Sequence, residues 1–216
     1  MTRTGIDIDE AKVERNEIGL WLGWTLATAI GMLLGFLPSI FLVDVLDLQW
    51  ARILVPLVAG FLIGLAQWVV LRAYLVESYD WVLAGGAGWA VGYALGLFLI
   101  NALSGTGFGG FIGFVSFGLI VAVFQWPLLR REIPSIWAWV LANVFGWTAG
   151  FYISQGALNL FFNDPAIAPL ASTSVISAIS GLVAGAVTGL ALVWIVRRPE
   201  RVVVTDQRVD ESSKGS

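Results

Sequence analysis

The chain contains no cysteine and no histidine. It therefore forms no disulfide, presents no thiol nucleophile, and cannot ligate zinc or haem through those side chains. Charge is scarce as well. Asp, Glu, Lys and Arg make up 12% of the 216 residues, about half the usual share of a soluble domain. Hydrophobic residues supply 58%, and the mean hydropathy is +0.84. A soluble domain needs a polar surface, which this composition cannot supply. The apolar residues also run in long blocks, the pattern of an integral membrane protein.

A bilayer core of about 30 Å needs about 20 largely apolar helical residues. Six segments meet that length, near 18–43, 53–75, 81–103, 111–129, 136–162 and 174–196. Helices satisfy their own backbone hydrogen bonds where lipid cannot. The runs are continuous rather than alternating, which argues against a β-barrel. The expected fold class is all-α: an integral membrane six-helix bundle. With six spans, both termini and the loops near 76–80 and 130–135 share one side. That side carries eleven of the 12 Lys and Arg residues, and the other carries Arg52 alone. Positive charge marks the cytoplasmic face. Both termini are thus expected in the cytoplasm, with the chain in the cell inner (plasma) membrane. The first apolar segment is long and lacks a cleavage pattern, so it reads as a retained anchor. Residues 1–15 form a polar cytoplasmic segment, 16–198 the six-span domain, and 199–216 a cytoplasmic tail expected to be disordered.

Self-similarity runs through the apolar domain. Trp81-Val82-Leu83-Ala84, Gly88-Trp89 and Gly92 are matched by Trp139-Val140-Leu141-Ala142, Gly146-Trp147 and Gly150, all 58 residues later. The same offset carries Gln67-Trp68 to Gln125-Trp126. Three even spans place Trp four residues before Arg, as Trp68/Arg72, Trp126/Arg130 and Trp194/Arg198. Gly23-Trp24 reads as a weaker first copy of the Gly-Trp pair. The repeating unit is a two-helix hairpin, used near 16–75, 76–132 and 133–198. Hairpins inserted in the same direction relate by an axis along the membrane normal. Pseudo-three-fold symmetry about that normal is the expectation.

The Gln-Trp-x-x-Leu-Arg ending followed by Gly-Trp-x-x-Gly resembles a group of uncharacterised bacterial multi-pass membrane proteins with no assigned activity. The likeness spans about 55–155. It implies a bacterial source and a polytopic fold, and brings no catalytic or binding residue with it. Mitochondrial carriers also use three hairpins, but their Pro-x-Asp/Glu-x-x-Lys/Arg motif is absent. Pro38 is followed by Ser-Ile-Phe-Leu-Val.

Small residues recur every four positions and so share one face of a helix. The stripes include Gly23 and Gly31, Gly88 and Gly92, Gly146 and Gly150, and Gly181, Gly185 and Gly189. Such glycine zippers let helix backbones approach closely in lipid. The plain reading is internal packing, and the sharper one a docking face for another subunit. Eleven Trp residues form the second feature. Trp81, Trp137 and Trp139 stand at span starts and suit an interfacial belt. Trp89 and Trp147 lie about 12 Å deeper at 1.5 Å per residue. Their indoles need partners, and Gln67 and Gln125 lie at comparable depth. An interhelical Gln–Trp bond accounts for both residue types. The other reading is an inner-leaflet pocket for a lipid head group, a pigment or a small solute. The Trp/Arg pairs of the even spans read as membrane anchors or as contacts for anionic lipid. Candidate lipid or ligand contacts are therefore Gln67, Trp68, Arg72, Trp89, Gln125, Trp126, Arg130, Trp147, Trp194 and Arg198.

No Asp, Glu, Lys or Arg falls mid-span, although ion-coupled transporters usually carry them there. The acids sit in loops and tails, among them Asp44, Asp47 and Asp164. The loop Ser104-Gly-Thr-Gly-Phe-Gly-Gly110 lacks the Walker lysine and reads as an outer hairpin. No catalytic, cofactor or metal site is expected, and no nucleic-acid partner. The expected partners are membrane lipids and other membrane subunits. The favoured function is a non-enzymatic scaffold or accessory subunit of a membrane complex. The alternative is a small uncoupled transporter or channel along the bundle axis. A lipid enzyme would need convergent acids from Asp44, Asp47 and Asp164.

Overall fold

A computed structural model describes residues 16–39, 51–74, 79–130, 137–161 and 169–197. The N-terminal segment, the tail, Arg198, Asp44, Asp47 and Asp164 lie outside the described residues, and with them the acid-convergence test. Among the described residues the chain is all-helical. Six α-helices follow in order: α1 Glu17–Ser39, α2 Ala51–Leu71, α3 Asp80–Ala102, α4 Gly109–Leu129, α5 Trp137–Phe161 and α6 Pro169–Val196. Each falls on one of the six apolar blocks.

Local chemistry sets several of the ends. The Asn16 side chain accepts the Gly19 amide at 2.8 Å, a side-chain cap for the first turn of α1. After α3 a single 3₁₀ turn, Ser104–Thr106, leads to Gly107 at φ +75°. Only glycine takes that left-handed conformation cheaply. The Thr106 hydroxyl bonds both flanks of this turn, donating to the Leu103 carbonyl at 2.8 Å and accepting the Phe108 amide at 3.2 Å. The glycine-rich loop is thus a tight helical reversal.

Among the described residues, five helices are long and apolar enough to cross a membrane: α1, α2, α3, α4 and α6. The apolar run lengths predict six, and α5 differs. Its 25 residues include Asn143, Thr148, Ser154, Gln155 and Asn159, which lower its apolarity.

Each helix packs antiparallel against its chain neighbours, and α6 packs back on α1. The six helices therefore close into a ring. The outer surface is apolar. Ile18, Leu22, Leu26, Ile30 and Leu34 form an exposed stripe on α1, and Leu141, Phe145 and Tyr152 face outward from α5. The interior holds buried Thr28, Gln67, Gln125, Asn143, Ser154, Ser180 and Thr188. This inside-out distribution suits a nonpolar surround.

The small residues sit where helices touch. A Cβ on Gly31 would lie 2.6 Å from the Ile63 backbone, and one on Gly181 2.6 Å from that of Ala29. Gly88 and Gly92 face Phe124 and Phe117 of α4. Gly146 and Gly150 face Ala184 and Ser180 of α6. Gly185 faces Thr25, Gly189 faces Trp21, and Gly23 faces Val70 at an ordinary contact distance. Each of these glycine stripes is used within the chain.

Candidate functional site: the ring axis

Each odd helix sends one tryptophan from its first half to the centre of the ring. Trp24 of α1, Trp81 of α3 and Trp139 of α5 meet edge-to-face, with centroid separations of 5.8, 6.1 and 6.0 Å. Edge-to-face contact sets the positive rim of one ring on the negative face of another. All three are at most 3% exposed. Leu71, Leu129 and Leu192, near the ends of the even helices, are buried in the same cluster.

A second layer lies eight residues further along each odd helix, at Met32, Trp89 and Trp147, and all three belong to one buried cluster. Trp89 and Trp147 cross at 90° with centroids 5.0 Å apart, and Phe117 packs on both. Two aromatic layers thus occlude the axis.

Polar side chains fill the space between the layers. Trp81 Nε1–H donates to Gln67 Oε1 at 3.2 Å. Gln67 Nε2 donates to Thr28 Oγ1 at 3.0 Å, and Thr28 donates to the Trp24 carbonyl. Trp24 Nε1–H donates to Thr188 Oγ1 at 2.9 Å, and Thr188 donates to the Ala184 carbonyl at 2.7 Å. Asn143 donates to the Trp139 carbonyl at 3.0 Å. A chain of bonds thus links α3, α2, α1 and α6. A cavity of about 10 Å³ lies beside this network, lined among others by Gln67, Gly85, Gln125, Trp139, Asn143 and Thr188. Among the described residues, no ionisable side chain lines it.

Several sequence expectations need correction. Trp81 and Trp139 are buried on the axis, at 3% and 1% exposure, and do not form an interfacial belt. Trp137, at 68%, does face outward. Length places a Trp at a span start, but rotation decides which face it takes. The Gln–Trp bond exists, but Gln67 bonds Trp81 rather than the deeper Trp89. Trp24 joins Trp81 and Trp139, whereas its Gly-Trp dipeptide had aligned it with Trp89 and Trp147. Met32 occupies that deeper layer in α1. The sequence signal was available in the near-constant spacing of 24, 81 and 139, masked by the stronger dipeptide.

The candidate contacts separate into two groups. Gln67, Trp89, Gln125 and Trp147 are buried inside the ring, beyond the reach of surrounding lipid. Trp68, Arg72, Trp126 and Arg130 gather at the ends of α2 and α4. Trp68 is half-buried, stacks on Tyr79 at 4.5 Å, and lies beneath the exposed Arg72 guanidinium at 5.3 Å. Trp126 is half-buried and Arg130 exposed. Trp194 does not share the placement of Trp68 and Trp126. It stands two residues after Leu192, whereas they stand three before Leu71 and Leu129. That five-residue shift turns it by about 140° around the helix, and it faces outward at 44% exposure. At the same end of the ring Arg197 donates to the Glu17 carboxylate, a bond that holds the guanidinium above its ordinary pKa and ties α6 to α1.

Comparison with protein-family models, with curated proteins and with solved structures finds no match to this chain.

Proposed function

We propose that this chain is a non-enzymatic, multi-pass membrane protein that serves as a scaffold or accessory subunit of a membrane complex. In this reading α5 crosses the membrane with its five neighbours. The ring comprises three parallel hairpins related by approximate three-fold pseudosymmetry about the membrane normal. The trio of Trp24, Trp81 and Trp139 supports that symmetry, because one residue from each odd helix meets at the centre. The basic excess at 72, 130 and 197 supports a cytoplasmic location for that end of the ring and for both termini in the plasma membrane.

The observation that carries the function is the filled axis. A channel for a polar solute would turn its amides and hydroxyls toward a continuous path. Here those groups bond one another between two aromatic layers, which weighs against the channel reading. The glycine stripes are consumed within the ring, so a protein partner or lipid would meet the apolar exterior instead. Large exposed side chains such as those on α1 and α5 supply that surface.

Two measurements test this together. Native mass spectrometry after gentle extraction should find other subunits at fixed stoichiometry. Reconstituted vesicles should pass small polar solutes no faster than empty ones. A protein that leaves the membrane alone and conducts a solute would overturn the proposal.

A further inference from the structure

The Trp–Gln bond at the α2/α3 interface has an unmade counterpart. Trp81 donates to Gln67 at 3.2 Å. The residues 58 positions later are Trp139 and Gln125. Trp139 Nε1 and Gln125 Oε1 are both buried and both lack a hydrogen-bond partner. Their residues are 1% and 4% exposed. One atom is a donor and the other an acceptor, and both residues line the 10 Å³ cavity. A buried donor and a buried acceptor without partners each keep their full desolvation penalty.

The cavity has a sequence origin. Gln67 lies beside α1, where Thr28 fills the space and accepts its amide. Four residues after Trp81, as Thr28 stands four after Trp24, α3 carries Gly85. Gly85 cannot be enlarged cheaply, since a Cβ there would meet the Gly60 carbonyl of α2 at 2.9 Å. The glycine that lets α2 and α3 approach therefore puts no side chain beside Gln125, where the 10 Å³ cavity lies.

We propose that this cavity is a binding site for one water molecule, which accepts from Trp139 Nε1–H and donates to Gln125 Oε1. The volume is near the minimum for one water and too small for a larger solute. The lining offers polar partners of both kinds, which a buried water requires. Among the described residues no charged side chain lines it, so they offer an ion no counter-charge there. The aromatic layers on either side make the water a resident of the core rather than a step on a conducting path. The site does not depend on the scaffold reading.

The test is nuclear magnetic resonance of the intact chain in lipid nanodiscs, with nitrogen-15 in the Trp indoles. The Trp139 indole proton should show cross-relaxation with water that changes sign between laboratory-frame and rotating-frame experiments, which hydrogen exchange does not do. The Trp81 indole, bonded directly to Gln67, should show none. Trp139→Phe identifies the signal by deleting it. If that variant does not fold, correlation to the Trp139 backbone in the unaltered chain makes the same assignment. Gln125→Leu should abolish the water signal while the Trp81 indole stays unchanged. A Trp139 proton that sees no water, or that contacts the Gln125 amide directly as Trp81 contacts Gln67, overturns the proposal.

Discussion

Three glycines allow one substitution to be read against three environments. A Cβ on Gly181 would sit 2.6 Å from Ala29 Cα, and a backbone atom cannot swing aside. A Cβ on Gly23 would meet the Val70 methyls at 3.4 Å or more, and one on Gly156 would meet nothing within 4 Å. Carbon–carbon contacts settle near 3.5–4.0 Å, so Gly181→Ala must push α6 from α1 by about 1 Å. A gap of that size forfeits about a quarter to a half of each affected contact, and overpacking typically costs about 1–3 kcal/mol. All three sites are helical, so the helix-propensity gain of about 1 kcal/mol is common to them and cancels in differences. Gly181→Ala should therefore be less stable than Gly156→Ala by about 1–3 kcal/mol, and Gly23→Ala should match Gly156→Ala within about 0.5 kcal/mol. Reversible unfolding in mixed detergent micelles, followed by Trp fluorescence, measures these differences. Equal stability of the three variants would refute the claim that the glycine stripes set helix approach within one chain.

Gln67→Leu should destabilise the ring by about 1–3 kcal/mol, because it orphans the buried Trp81 indole. Gln155→Leu, at an exposed position of α5, should stay within about 0.5 kcal/mol of the parent in the same unfolding assay. Glu17→Gln should leave stability unchanged at moderate salt, since its ion pair with Arg197 is solvent-exposed and screened; a clear loss would mean that this contact holds the ring closed. The absence of cysteine gives a silent background for topology. An impermeant maleimide should label Asn16→Cys and Arg197→Cys from the cytoplasmic side and Thr106→Cys from the opposite side. Labelling of all three from one face would remove the hairpin arrangement.

The lipid-contact reading changes most once the helices are assembled. Gln67 and Gln125 lie at a depth comparable to Trp89 and Trp147, which leaves a head-group pocket as the second reading beside an interhelical Gln–Trp bond. In the ring both amides are turned inward, and Gln67 serves Trp81 and Thr28. At the Trp68/Arg72 pair the guanidinium stands 5.3 Å from the centre of a half-buried indole, a cation–π geometry. Trp194 lies on another face of its helix, so three matching Trp/Arg spacings do not make three matching sites.

What the sequence determined by itself was local. Continuous apolar length requires helices, since a backbone surrounded by nonpolar material must bond within its own segment. Glycine every fourth residue requires a small face on each helix that carries it. The spacing of 58 between two hairpins was likewise plain in the residues. The tertiary structure decided which way each helix turns. In a soluble protein hydrophobicity separates inside from outside. Here Leu26 at 53% exposure and Leu20 at 1% occupy the same helix, and an apolar surround accepts either face. Rotation was settled instead by close backbone approach at the glycines and by the need to pair indoles, amides and hydroxyls. Those demands arise only between helices, so Trp24 meets Trp81 and Trp139 through partners that no single segment contains.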